Sequence, residues 1–152
     1  MTVGINEACI SLMNEHREME GLLASLESAL NRLEVPPDGA TLQLLRERMA
    51  TIGEGMDVHF ACEEQALFPA VAPYHPMVLM EAEHEELMGL RQTLLALLAK
   101  NALGAEEATT LKQTGLRFIG EMRDHIGRED AGIFPTCERA LSEEEKHAVV
   151  AG

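Results

Sequence analysis

A histidine followed four residues later by a glutamate occurs twice in this chain, as His59 with Glu63 and as His125 with Glu129. Residues four apart lie on the same face of an α-helix, about 40° apart around its axis. Imidazole nitrogens and carboxylate oxygens are ligands that suit iron, manganese or zinc. In both copies the dipeptide Phe-Pro begins five residues after the glutamate. Two copies in one small chain therefore predict two helices that face a shared metal site.

Four long stretches carry apolar residues at alternating intervals of three and four, the pattern of the buried face of a bundle helix. They predict helices over about residues 6–33, 40–69, 77–101 and 106–133. Because the connections are short, these helices predict an all-α fold, an up-down-up-down antiparallel four-helix bundle. The sequence Ser-Glu-Glu-Glu at 142–145 has the pattern of a capping box and predicts a short C-terminal helix.

The expected helix ends depend on prolines and glycines. Two prolines and a glycine within residues 36–39 separate the first two helices. The second helix is expected to end near Pro69, because proline cannot continue the helical hydrogen bonding, and Pro73 and Pro76 mark a loop before the next helix. Residues 101–104, which finish on Gly104, are expected to cap the third helix at its C-terminus.

Each predicted helix carries one histidine in its apolar face: His16, His59, His84 and His125. A single histidine in such a face is usually an ordinary core residue. Four of them, two with a glutamate one turn later, favour a metal site, since a charged glutamate is costly to bury unless it is paired or binds a metal. His75 and His147 fall outside the apolar faces and are expected at the surface.

Length and composition limit the classes of function. The 152 residues suit a single domain over residues 1–152. The 26 acidic residues against 12 basic ones give a formal charge of −14, which disfavours nucleic acid and anionic membranes as partners. The cysteines, Cys9, Cys62 and Cys137, are odd in number and form no C-x-x-C pair. With no secretion signal in the first residues, we therefore expect a cytoplasmic protein without a disulfide framework.

The order and spacing of these residues resemble the hemerythrin-like, or HHE cation-binding, family. The resemblance runs from the first helix to Pro135 and includes the Phe-Pro that follows each His-x-x-x-Glu. It implies a four-helix bundle with two non-haem iron ions, bridged by two carboxylates and by an oxo or hydroxo group. The implied ligands in this chain are His16, His59, Glu63, His84, His125 and either Glu129 or Asp130.

Two positions depart from the oxygen-carrying members of that family. Those proteins have a further histidine one turn before the one that matches His84, where this chain has Met80, a poor ligand for iron. They also place the last carboxylate at the position of Asp130. The helical repeat favours Glu129 instead. Around the helix axis, Glu129 lies about 40° from His125, whereas Asp130 lies about 140° from it. A glutamate there resembles the bacterial iron-centre-repair branch of the family.

The leading interpretation is a di-iron protein that binds, senses or reduces O2, peroxide or NO at open iron positions. The alternatives are an iron store or donor for iron-centre repair without catalytic turnover, and a structural bundle that holds zinc or no metal. The ferritin-like class needs two Glu-x-x-His motifs, and only residues 81–84 supply one. The pattern leaves open the physiological ligand, the electron donor, the oligomeric state, enzymatic turnover, and the roles of Glu20 and Cys62 beside the predicted ligands.

Overall fold

The computed structural model describes residues 5–140, and among them the side chains of residues 12–137 and 139. The helices are α1 (Ile5–Asn31), α2 (Gly39–Cys62), α3 (Phe68–Val71), α4 (Val78–Leu98), α5 (Ala105–Arg128) and α6 (Phe134–Ala140), and this range contains no strand. The predicted all-α helical bundle is confirmed. The short helix predicted from Ser142 onward lies outside the described residues.

The four long helices pack in chain order around the bundle. Helix α1 contacts α2 and α5, and α4 contacts the same two helices, so that each long helix has two neighbours. Helices α5 and α1 approach closely at Gly115, where an added Cβ would lie 2.5 Å from Leu30 Cδ1. Within the described range, no helix combines the length and the apolar character needed to cross a membrane.

Side-chain caps fix two of the helix starts. Asp38 precedes α2, and its carboxylate accepts a hydrogen bond of 2.6 Å from the Thr41 N–H. Gly104 precedes α5, and its own N–H donates to the Glu107 carboxylate at 3.3 Å. The prediction that Gly104 caps the preceding helix was wrong. Helix α4 ends at Leu98, and Gly104 has an extended backbone (φ −74°, ψ 176°), which suits the start of a helix.

The expectation that the second helix ends near Pro69 is confirmed, because the chain stays helical to Val71 and the next helix begins at Val78. The sequence did not predict the π-helical turn, Glu63–Leu67, that joins α2 to α3 within this helical run. A matching π-turn, Glu129–Ile133, joins α5 to α6. In each turn the N–H of the following phenylalanine donates to the carbonyl five residues earlier. Proline clashes with the carbonyl of a regular α-helical turn, and the wider π-turn directly before each Phe-Pro relieves that constraint.

Two apolar clusters lie at different heights in the bundle. The larger one, the main core, contains residues that follow His16 on α1 and His84 on α4, and residues of α2 and α5 that extend to Phe60 and Ile126, one residue beyond His59 and His125. The smaller one, the end core, contains Leu12, Leu67, Phe68, Val71, Met77, Met80, Ile133, Phe134 and Cys137. Helices α1 and α4 contribute to both clusters, the π-turns and short helices after α2 and α5 continue into the end core, and each of the four histidines lies close to the boundary between the clusters. The fold therefore places four histidines in one polar layer between two apolar ones.

Candidate metal centre

The structure brings together all six residues that helical phase favoured as metal ligands. They are fully buried or nearly so: His16, His59, Glu63, His84, His125 and Glu129. The histidines form two pairs with their Nε2 atoms facing inward, 3.0 Å apart for His16 and His59 and 3.1 Å apart for His84 and His125. Facing lone pairs at that distance repel unless a proton or a cation lies between them.

Each glutamate reaches both histidine pairs. Glu129 Oε1 lies 3.0 Å from His16 Nε2 and 3.2 Å from His125 Nε2. The oxygens of Glu63 lie 3.4 Å from His59 Nε2 and 3.3 Å from His84 Nε2. The donors thus form two groups, one with His16 and His59 and one with His84 and His125, and both groups include Glu63 and Glu129. Within each group the donor atoms lie within 4.8 Å of one another.

The buried carboxylates lack the partners that a metal-free core requires. All four oxygens of Glu63 and Glu129 are shielded from solvent and have no hydrogen bond of acceptable geometry from the described residues. Burial and the charge of Glu129 raise the pKa of Glu63 well above its usual range. Burial also raises the pKa of Glu129, but contacts with Glu63, His125 and His16 outweigh it and hold that pKa well below the usual range. Two like charges this close cannot both be ionised cheaply, and a multivalent cation removes that conflict. The donor set therefore fits a metal pair.

Phenylalanine rings enclose the second histidine pair. The Phe60 ring stacks on His84 with centroids 3.8 Å apart and planes 4° apart, and Phe68 lies 5.2 Å from the same ring. Burial lowers the pKa of His84 despite its contact with Glu64. The neutral imidazole, which is the form that binds metals, is therefore favoured at this position.

A cavity of about 140 Å³ lies beside the first histidine pair, between α1, α2 and α5. Its lining includes His16 and His59, and its walls are mainly apolar, with Met19, Met56 and Met122 among them. Val58, which is 67% exposed, borders the same cavity at the surface. A small molecule can therefore reach the histidines from this side.

Each histidine also contacts a carboxylate through its outward nitrogen, Nδ1. The distances are 2.9 Å from His16 to Asp130 and 2.6 Å from His59 to Glu15. They are 2.9 Å from His84 to Glu64 and 3.3 Å from His125 to Glu83. Helical phase favoured Glu129 over Asp130 as a ligand, and the structure places Asp130 at the outward nitrogen of His16. Sequence reasoning did not predict the contacts of Glu15, Glu64 and Glu83. One signal in the sequence could have indicated these contacts. On each helix an acidic residue stands directly beside a predicted ligand: Glu15 beside His16, Glu64 beside Glu63, Glu83 beside His84 and Asp130 beside Glu129.

The remaining candidates are not among the inward donors. Met80 is 3% exposed and packs in the end core one turn before His84. Glu20 is 44% exposed and pairs with Arg17 at 3.1 Å, as expected for a surface residue. Cys62 is half-buried, and burial raises the pKa of its thiol. His75 lies partly exposed in the loop after α3, with its Nδ1 3.0 Å from the Pro76 carbonyl oxygen. His147 and the side chain of Cys9 lie outside the described part of the chain.

Comparison with known proteins gives one match. The model of the hemerythrin HHE cation binding domain matches residues 11–137. That span contains all six inward donors and the four outer carboxylates. No curated protein and no solved structure matches the chain.

Proposed function

Because the chain belongs to the hemerythrin HHE cation-binding family, we propose that it holds two non-haem iron ions and uses them to bind, sense or reduce O2, peroxide or NO. The proposed ligands are His16, His59, Glu63, His84, His125 and Glu129. One observation carries this proposal: two four-donor groups share the same two buried glutamates, whose oxygens have no hydrogen-bond partner among the described residues. Shared carboxylates are what two adjacent metal ions require.

The donor types favour iron over zinc. Structural zinc sites are closed, tetrahedral and usually include cysteine, and neither donor group contains a cysteine. Two histidine nitrogens with carboxylate oxygens and open positions are typical of non-haem ferrous iron. When bound, such irons supply the electrons and the open position that a small oxidant needs.

The protein's own contribution is to position the donors and to control access. The main core and the end core exclude water above and below the polar layer. The cavity beside His16 and His59 is the described route by which a small ligand can approach. Its apolar walls favour neutral molecules, which include O2, NO and hydrogen peroxide.

A second candidate function is iron storage or donation without turnover. It is favoured by Glu15 and Glu64, which are 40% and 50% exposed and contact buried histidines. Such carboxylates give a cation a path from solvent to the centre. Under this alternative, iron would exchange rapidly and no reaction with a small oxidant would be needed.

The experiment that separates these functions begins with ferrous protein prepared without oxygen. The main proposal predicts ferric bands in the near ultraviolet after O2 or peroxide, or a distinct spectrum after NO, while about two irons per chain remain bound through desalting. Rapid loss of iron to a chelator, with no spectral response to any of the three molecules, would favour storage and contradict the main proposal.

A further inference from the structure

The contacts of the outer carboxylates repeat with an internal two-fold pattern. In the first half, Glu15 stands before His16, and Glu64 stands after Glu63. In the second half, Glu83 stands before His84, and Asp130 stands after Glu129. The paired histidines are 43 residues apart in the first half and 41 in the second.

These contacts run once around the bundle. Glu15 on α1 contacts His59 on α2, and Glu64, in the π-turn after α2, contacts His84 on α4. Glu83 on α4 contacts His125 on α5. Asp130, in the π-turn after α5, contacts His16 on α1 and closes the circle. The histidine of each long helix is thus contacted by a carboxylate that lies on the preceding long helix or in the π-turn directly after it.

The π-turns make this arrangement possible at two of the four positions. Each begins with two consecutive acidic residues, Glu63 with Glu64 and Glu129 with Asp130. The first is fully buried and faces the polar layer. The second is 50% exposed in one turn and 20% in the other, and it reaches the histidine of the next helix. One turn therefore supplies both an inward donor and an outer contact.

Resting on the proposed metal centre, we propose that Glu15, Glu64, Glu83 and Asp130 are positioning residues, a closed ring that orients the four imidazoles. An acceptor at Nδ1 fixes the proton there and leaves Nε2 free to bind a metal, and such partners typically raise metal affinity. Every Nδ1 in the polar layer has such an acceptor, and every Nε2 faces inward. The ring also joins all four helices at the level of the centre.

Arginines anchor two members of the ring. Arg17 donates to Asp130, and Arg128 donates to Glu83 with its Nε at 3.1 Å. Among the described side chains, Glu15 and Glu64 have no lysine or arginine partner. Each donor group therefore has one anchored and one unanchored outer carboxylate. Glu64 is the most informative residue to replace, because the interaction that the described structure shows for its side chain is the contact with His84.

Glu86 supplies a matched control for Glu64. Both side chains are 50% exposed, but Glu86 pairs with Arg117 and contacts none of the described histidines. The test titrates Zn²⁺, a diamagnetic probe, into the wild type, Glu64→Ala, Glu64→Gln and Glu86→Ala. It then records the downfield Nδ1–H signals of the histidines by NMR. Circular dichroism establishes that each variant is folded.

The ring predicts that Glu64→Ala binds the probe ~10–100-fold more weakly and that its His84 Nδ1–H exchanges rapidly with water. Glu64→Gln, which keeps an acceptor oxygen, should recover part of the affinity and the protected signal. Glu86→Ala should match the wild type. Equal affinity and equal protection in Glu64→Ala and Glu86→Ala would overturn the ring alone. A wild type that binds no divalent ion would overturn the metal centre and the ring with it.

Discussion

Replacing Glu129 and its neighbour Asp130 should have opposite consequences for the metal content. Glu129 is fully buried and belongs to both donor groups. Removing it leaves each group with three donors and removes a negative charge that the two proposed metal ions would share. Asp130 is 20% exposed and contacts only the outward nitrogen of His16 among the polar-layer histidines. We therefore expect Glu129→Ala to lose about half of the iron or more, and Asp130→Ala to keep it at saturating iron.

The size of the second effect follows from the type of contact. Outer partners of metal ligands typically contribute ~10–100-fold in affinity, which is about 1.4–2.8 kcal/mol. Such a loss is visible in a titration but not in the iron content of protein loaded with excess iron. The loss of a shared carboxylate is visible in both.

The isosteric change Glu129→Gln provides a second, independent readout. In the metal-free protein it removes the ionised carboxylate that contacts with Glu63, His125 and His16 stabilise, as the lowered pKa of Glu129 shows, so the free energy of unfolding at neutral pH should fall. A loss of this kind is on the order of 1–3 kcal/mol, which corresponds to a melting temperature several degrees lower. The iron-loaded protein should lose more than the metal-free protein, because it also loses binding energy.

The assay is iron per chain after desalting, together with calorimetric melting of the metal-free and loaded forms. Asp130→Asn serves as the matched control, since it neutralises a neighbouring carboxylate that is not an inward donor. Iron lost from the Asp130 variants alone, with Glu129→Ala still fully loaded, would refute the assignment of inward and outer residues.

Three further changes test other parts of the site. Met80→His adds a donor one turn before His84 and should change the spectrum of the oxygen-exposed protein and slow its autoxidation; an unchanged spectrum and rate would show that this position does not face the centre. Gly55→Leu narrows the cavity beside His59 and should slow NO binding at unchanged iron content; equal rates would contradict that route. Gly115→Val forces a side chain against Leu30 and should lower the free energy of unfolding by about 1–3 kcal/mol, measured by urea denaturation, with saturated iron content unchanged.

The long helices and the inward residues were predictable from the sequence. The apolar intervals of three and four fix which face of each helix is buried. A histidine in that face has a defined direction, so helical phase alone favoured Glu129 over Asp130. The structure places both residues accordingly.

The π-turns and the ring were not predictable by the same reasoning. A π-turn adds a residue to one turn without changing residue types, so the sequence indicated the end of the helix near Pro69 but not the π-turn directly before it. Glu15 and Glu64 resemble ordinary exposed glutamates when each helix is considered alone. Their role appears only when the neighbouring helix brings His59 and His84 within hydrogen-bonding distance.

Anomalous diffraction from crystals of iron-loaded protein, recorded above and below the iron absorption edge, tests the central claim most directly. Two iron peaks per chain are expected, one beside His16 and His59 and one beside His84 and His125, with Glu63 and Glu129 contacting both. A single iron peak, or density that disappears below the edge of zinc rather than that of iron, would contradict it.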